Sequence, residues 1–278
     1  EPAELRRYVY DTAAMLIASG LDPDRCILFR QSDVREHTEL CWLLASVTAH
    51  GDLNRMHQFK EKSARQRELV SAGLFLYPVL QAADVLAYRA DEVPVGDDQR
   101  QHLELTRDVA ERFNSRYGDT FVVPEADIPK VAARVMDLQE PTRKMSKSIE
   151  SPQGTVLMLD DPKAIEKKVK RAVTDNEAVV RYDPAAKPGV SNLLGILAAA
   201  TGEDPVALAE RYEQYGPLKA DTAQAVIALL EPIQARYREL MADPGEVQAV
   251  AAKGAAKARA LAAPTLERAR ERLGLLPR

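Results

Sequence analysis

Residues 144 to 148 read KMSKS, two lysines spaced by a methionine and a serine, with PTR before them and IESPQG after. Lysine carries a compact, strongly hydrated cation, so a pair in a short polar stretch suits a ligand with many anionic oxygens. The same pentamer is also the composition of a solvated loop. Asp84 stands inside the apolar run LYPVLQAADVLAY. A carboxylate there is either a satisfied core group or an acceptor kept for a ligand's donor. A third stretch, DEVPVGDDQRQHLELTRD, runs a β-branched segment into Gly96 and then opens a helix. Glycine at such a junction lets backbone approach a ligand, and the first N–H groups of a helix attract anions.

These groups need elements to hold them. A helix is expected over residues 3 to 19, where Leu5, Tyr8, Val9, Thr12, Leu16 and Ile17 share a stripe that stops near Gly20. CILFRQS then reads as a short strand, EHTELCWLLASVTAHG as a helix, residues 77 to 90 as another, and DEVPVG as a second strand. Asp98 and Gln101 have the spacing of a capping box for a helix over 99 to 114. This alternation predicts an α/β fold with a doubly wound parallel sheet. Past Asp160 the chain turns helical, punctuated by Asp-Pro and Gly. The expected domains are 1–160, ending just after the KMSKS stretch, and 161–278, whose last helix is free to fold back on the first.

The chain has 278 residues, 46% hydrophobic and 29% charged, which suits a globular protein with a sizeable core. No apolar run reaches the length of a membrane span, so no membrane anchor is expected. The net charge of −4 argues against general affinity for nucleic acid, yet KAIEKKVKRAV and the Lys/Arg-rich tail leave room for local basic faces. Cys26 and Cys41 read as buried, reduced thiols of a cytoplasmic protein. His37, His50, His57 and His102 are scattered without metal-ligand spacing, so no protein-held metal is expected. Trp42 and Met15 are expected in the core or in a dimer interface.

GDDQRQHLELTRD, PKVAARVMDLQEPTRKMSKS and KPGVSNLL, in that order, resemble the class I aminoacyl-tRNA synthetases of the tryptophanyl branch, where KMSKS is the second signature. QFKEKSA and LYPVLQAADVLAY fall where that family has them, and the resemblance spans almost the whole chain. It implies a Rossmann-like catalytic domain followed by a helical tRNA-binding one. A strand and loop with the HIGH-type signature are expected before Glu1, so the chain is read either as a fragment or as a natural remnant.

The implied chemistry is attack of an amino acid carboxylate on the α-phosphorus of ATP, then transfer to tRNA(Trp). The resemblance puts Lys144, Lys147 and Lys62 on the phosphates, with Met145 and Ser146 joining them. Gly96 and Asp98 lie at the ribose and Val135 at the adenine; Asp98 is equally a helix N-cap. Asp84 accepts the indole N–H, with Tyr77 near the amino group, Val93 and Val95 along the ring, and Gln99 at the amino acid. Gln81 stands where many relatives carry methionine and makes the rim more polar. A buried acceptor of this kind discriminates against an analogue without the donor by about 10⁴ to 10⁵. ATP, Mg²⁺ carried by ATP, L-tryptophan, tRNA(Trp) and a second copy in a homodimer are the implied ligands and partners. Tyrosine as the substrate, or tRNA binding without catalysis, are the alternatives.

Overall fold

In a computed structural model, residues 1–65, 70–96, 99–128, 135–146 and 151–276 are described, with 61, 62, 64 and 65 in backbone only. The elements in chain order are α1 (Pro2–Ala18), a 3₁₀ turn (Gln31–Asp33), α2 (Glu36–Ala45), α3 (His50–Arg55), α4 (His57–Arg65), α5 (Ala72–Leu86) and β1 (Glu92–Pro94). They continue with α6 (Arg100–Tyr117), β2 (Glu125–Asp127), α7 (Pro162–Lys170), α8 (Pro188–Thr201), α9 (Pro205–Ala209), α10 (Tyr215–Ala242) and α11 (Pro244–Arg272). The chain forms two compact units: Glu1–Ala13, Leu21–Lys130 and Pro244–Arg278 in the first, Ala14–Gly20 and Val131–Asp243 in the second. No helix among the described residues is long and apolar enough to cross a membrane.

The first unit is α/β. β1 and β2 run parallel, with Val93 opposite Ala126, and α6 connects them, the βαβ element of a Rossmann-like sheet. Around them Leu40 and Leu44 of α2, Val79, Ala82 and Leu86 of α5, and Val109 and Phe113 of α6 form a core at helical spacing. Ser71 caps α5 by accepting from the Leu74 N–H at 3.2 Å. α11 contributes Ala255, Ala258, Ala262, Leu266 and Ala269, a stripe small enough to bring it close to α2. At Gly254 the approach is closest, because an added Cβ would lie 1.9 Å from the Leu28 carbonyl oxygen.

That contact explains the first departure from expectation. CILFRQS is not a strand: it finds no ladder partner among the described residues and passes along α11 instead. Trp42 is not core either, since it is 75% exposed. Cys26 and Cys41 are free and only half-buried. Asp98, the other half of the expected capping box, lies outside the described residues; the Gln101 side chain accepts from the His57 N–H at 2.9 Å and so ties α6 to the start of α4.

The second unit is helical. Asp161 and Asp204 are the N-caps of α7 and α9, each followed by proline in the first helical turn, so the Asp-Pro pairs are helix starts. Gly202, at φ +76°, ends α8 in the left-handed conformation. Ile165, Val169, Val190, Leu193, Leu194, Leu197, Leu208 and Leu218 close a second core, which Leu138 joins from the segment before KMSKS. The described residues between 135 and 160 pack with this unit.

Candidate active site

Helical spacing places Tyr77, Gln81, Asp84 and Tyr88 on one side of α5 and its continuation. Gln31 donates to Asp84 Oδ2 at 2.5 Å. His37, buried at the start of α2, brings Nδ1 to 3.4 Å from Asp84 Oδ1. Among the described residues neither that Oδ1 nor that Nδ1 has a hydrogen-bond partner, and both are shut off from solvent. Burial pushes the Asp84 carboxyl above its ordinary range, while Gln31 and His37 pull it partly back. On its other nitrogen, His37 lies 2.6 Å from the Tyr88 hydroxyl. That phenol is pushed up to about 12, by burial first and then by Asp84 and Glu36.

Tyr77 lies two turns nearer the N-terminus of α5 than Asp84. Its hydroxyl donates to Gln58 Oε1 at 3.1 Å and lies 2.9 Å from His102 Nε2, and burial raises its pKa. Val93 is half-buried in the sheet, and the Val95 N–H donates to the Asp127 carbonyl at 3.0 Å. The Gly96 carbonyl then accepts from the Gln99 N–H at 2.9 Å, and Gln99 becomes the N-cap residue of α6. Asp98 lies outside the described residues. So does the Lys62 side chain, although its backbone belongs to α4.

In the second unit the KMSKS stretch begins on a short hairpin. Met136 bridges Lys144 in antiparallel register, the Met145 N–H donates to the Val135 carbonyl at 3.0 Å, and the Asp137 N–H to the Arg143 carbonyl at 2.8 Å. Val135, Lys144, Met145 and Ser146 are thereby brought together, Lys144 exposed and Met145 packed against the second core. Lys147 lies outside the described residues. Asn192 of α8 holds the hairpin from behind: its Oδ1 accepts from the Met136 N–H and its Nδ2 donates to the Met136 carbonyl, each at 2.9 Å. Asp137, buried, accepts from the N–H groups of Gln139 and Glu140 at 2.8 and 3.1 Å. Burial alone would raise its carboxyl, but these N–H groups, Ser151 and Arg143 outweigh it and leave the pKa lowered.

The basic stretch on α7 divides. Lys163, Lys167, Lys170 and Arg171 are exposed, whereas Lys168 is committed to Asp160 at 2.6 Å and to the Thr155 carbonyl at 2.8 Å. Sequence reasoning missed Gln31, His37, Asp137 and Asn192 as supports. A signal existed for Asp137, which precedes a proline turn and so reads as a side-chain-capped loop. His37 carried none beyond its place beside an apolar helix face. Among the described residues no cluster of His, Cys, Asp or Glu is placed to hold a metal ion.

Residues 1–231 match the family described as tRNA synthetases class I (W and Y). Tryptophan–tRNA ligase 2 of Streptomyces avermitilis is 52% identical over 280 aligned residues, covering 100% of this chain and 83% of that protein. Among solved structures, tryptophanyl-tRNA synthetase from Mycoplasma pneumoniae matches with a TM-score of 0.90 at 35% identity, over 99% of this chain and 84% of that one. The enzyme from Campylobacter jejuni, complexed with ADP and tryptophan, matches with a TM-score of 0.83 at 33% identity, over 99% and 85%.

Proposed function

The chain belongs to the class I tRNA synthetases of the tryptophan and tyrosine branch, and from that premise we propose how its residues divide the work. The reaction is the activation of L-tryptophan by ATP and its transfer to tRNA(Trp), not the tyrosyl counterpart. An oxygen of the tryptophan carboxylate bonds to the α-phosphorus of ATP as the bond to the β-phosphate breaks, and pyrophosphate leaves. A terminal tRNA hydroxyl then attacks the acyl carbon and AMP departs.

Asp84 is assigned to the indole N–H. The observation that carries this is its carboxylate, set in the apolar α5 with Oδ1 closed off from solvent, so that a ligand meets Oδ2. Indole offers one donor and asks for no donor in return, which a lone carboxylate matches. Tyr77 and Gln99 are assigned to the amino acid's polar end, Val93 and Val95 to the ring face, and Gln81 to the rim. Gly96 and Asp98 take the ribose, Val135 the adenine. Lys144 and Lys147, with Lys62, Met145 and Ser146, neutralise the phosphates as pyrophosphate departs, since phosphoryl transfer asks for positioning and charge rather than covalent help.

Mg²⁺ enters with ATP, held by phosphate oxygens; lysines, not carboxylates, are the groups assigned to that end. The helical part, residues 161–278, is assigned to tRNA, with the exposed cations of α7 as phosphate contacts. A second copy is the assigned partner, to which Trp42, Leu5 and Tyr8 offer exposed apolar side chains. The substrate tRNA places the work in the cytoplasm.

Amino acid-dependent exchange of pyrophosphate into ATP tests the reading. Tryptophan supports exchange and tyrosine does not, and Asp84→Asn raises the KM for tryptophan by at least tenfold. Exchange driven by tyrosine alone would overturn it.

A further inference from the structure

We propose that His37 is a positioning residue for tryptophan selection: it fixes the Asp84 carboxylate from behind so that Oδ2 faces the indole N–H. The proposal rests on Asp84 being the indole acceptor. A carboxylate on a helix rotates about its terminal bond unless both oxygens are held. Gln31 holds one, donating to Oδ2 at 2.5 Å. The other, Oδ1, lies 3.4 Å from His37 Nδ1, and among the described residues neither atom has a hydrogen-bond partner.

The rest of the cluster determines which His37 nitrogen carries the proton. Tyr88, 2.6 Å from Nε2, keeps its proton to about pH 12 and so donates to that nitrogen. With Nε2 accepting from Tyr88, the ring's proton lies on Nδ1, pointing at Asp84 Oδ1. The ring itself is packed between Phe29, at 5.9 Å between centroids, and Tyr88, at 5.5 Å. Held in this stack, His37 directs Nδ1 at an Asp84 oxygen that has no hydrogen-bond partner among the described residues. At 3.4 Å the contact is longer than a hydrogen bond, and it tightens when indole docks on the opposite oxygen, as contacts in ligand-free sites do. Gln31 retains one Oδ2 lone pair, leaving the second for the substrate.

The test pairs tryptophan with its benzothienyl analogue, in which sulfur replaces the indole N–H, in pyrophosphate exchange by the whole protein. His37→Phe keeps the ring stack and removes the donor. The expected result is a tryptophan KM raised roughly ten- to hundredfold, as for losing a bond to a charged group, with the KM for ATP unchanged and the preference for tryptophan over the analogue reduced by a similar factor. His37→Gln, which can still donate, recovers part of that preference, and serves as the variant of record if His37→Phe does not fold. Tyr88→Phe, which frees the tautomer, shifts the preference in the same direction by less.

An unchanged preference in the His37 variants, or equal losses toward tryptophan, analogue and ATP, overturns the proposal in favour of a packing role. Asp84→Asn separates the two readings. If it leaves the preference intact, the indole assignment itself fails; if it abolishes the preference while the His37 variants do not, only the role of His37 falls.

Discussion

Asn192 grips Met136 by both of its backbone groups, accepting from the N–H and donating to the carbonyl at 2.9 Å each. One amide side chain thus does what a neighbouring strand would do, and the residue it holds pairs with Lys144 at the start of KMSKS. The register of the first KMSKS lysine is therefore set from α8.

Asn192→Ala should leave two backbone groups without partners, at a stability cost of about 1–3 kcal/mol for each group that stays buried. Its kinetic signature should be a kcat for adenylate formation that falls by more than the KM for tryptophan rises, because the grip acts on Lys144, assigned above to the phosphates. Single-turnover activation with thermal unfolding in parallel checks both.

Gly154→Ala should be among the most damaging methyl additions in the second unit. The new Cβ would fall 1.9 Å from Asp137 Oδ1, where the carboxylate already receives the N–H groups of Gln139 and Glu140. Overpacking costs typically ~1–3 kcal/mol, and here it also displaces a buried charge from its donors. A fall in the unfolding midpoint without any change in tryptophan selectivity is the expected pattern.

Asp84→Asn should stabilise the ligand-free protein while weakening tryptophan binding. The folded-state pKa of Asp84 lies above its ordinary value, chiefly through burial. A raised carboxyl favours the fold below its unfolded pKa and loses that contribution as pH rises through the folded value, so at neutral pH the ionised group is a net cost. The variant's gain in melting temperature should accordingly shrink as the pH is lowered toward 4, measured by calorimetry without ligand.

The second unit carries the opposite sign. Tyr215 and Lys187, donating to Asp175 Oδ1 at 2.6 and 2.9 Å, hold its carboxyl down to about 2 from an ordinary 3.8. That stabilisation is complete above about pH 4 and disappears as pH falls through about 2. Lys187→Met should flatten this acid limb, seen by following the unfolding midpoint between pH 5 and 2.

Much of this was legible from residue types. Asp-Pro pairs marked the starts of α7 and α9 because a cap and a proline at the first helical turn serve one purpose locally, and the KMSKS and Asp84 stretches declared themselves by charge where charge is unexpected. What stayed hidden depended on distant neighbours. CILFRQS has the composition of a strand, but strand formation is decided by a partner, and this run lies against Gly254 instead. His37 and Gln31 sit more than forty positions before Asp84, and no local pattern joins them. For Trp42 the core half of the expectation falls for the same reason, since helical spacing on α2 does not say which face α5 and α11 will cover.

The alanine stripe of α11 completes a core whose other members come from residues before 130. A ribosome releases those earlier residues long before Ala255 to Ala269 emerge, so the first unit waits, with its groove beside α2 open, until synthesis is nearly over. The bulk of the second unit, from 131 to 243, is out sooner and can assemble first. The unit that holds Asp84 is thus the last to become whole.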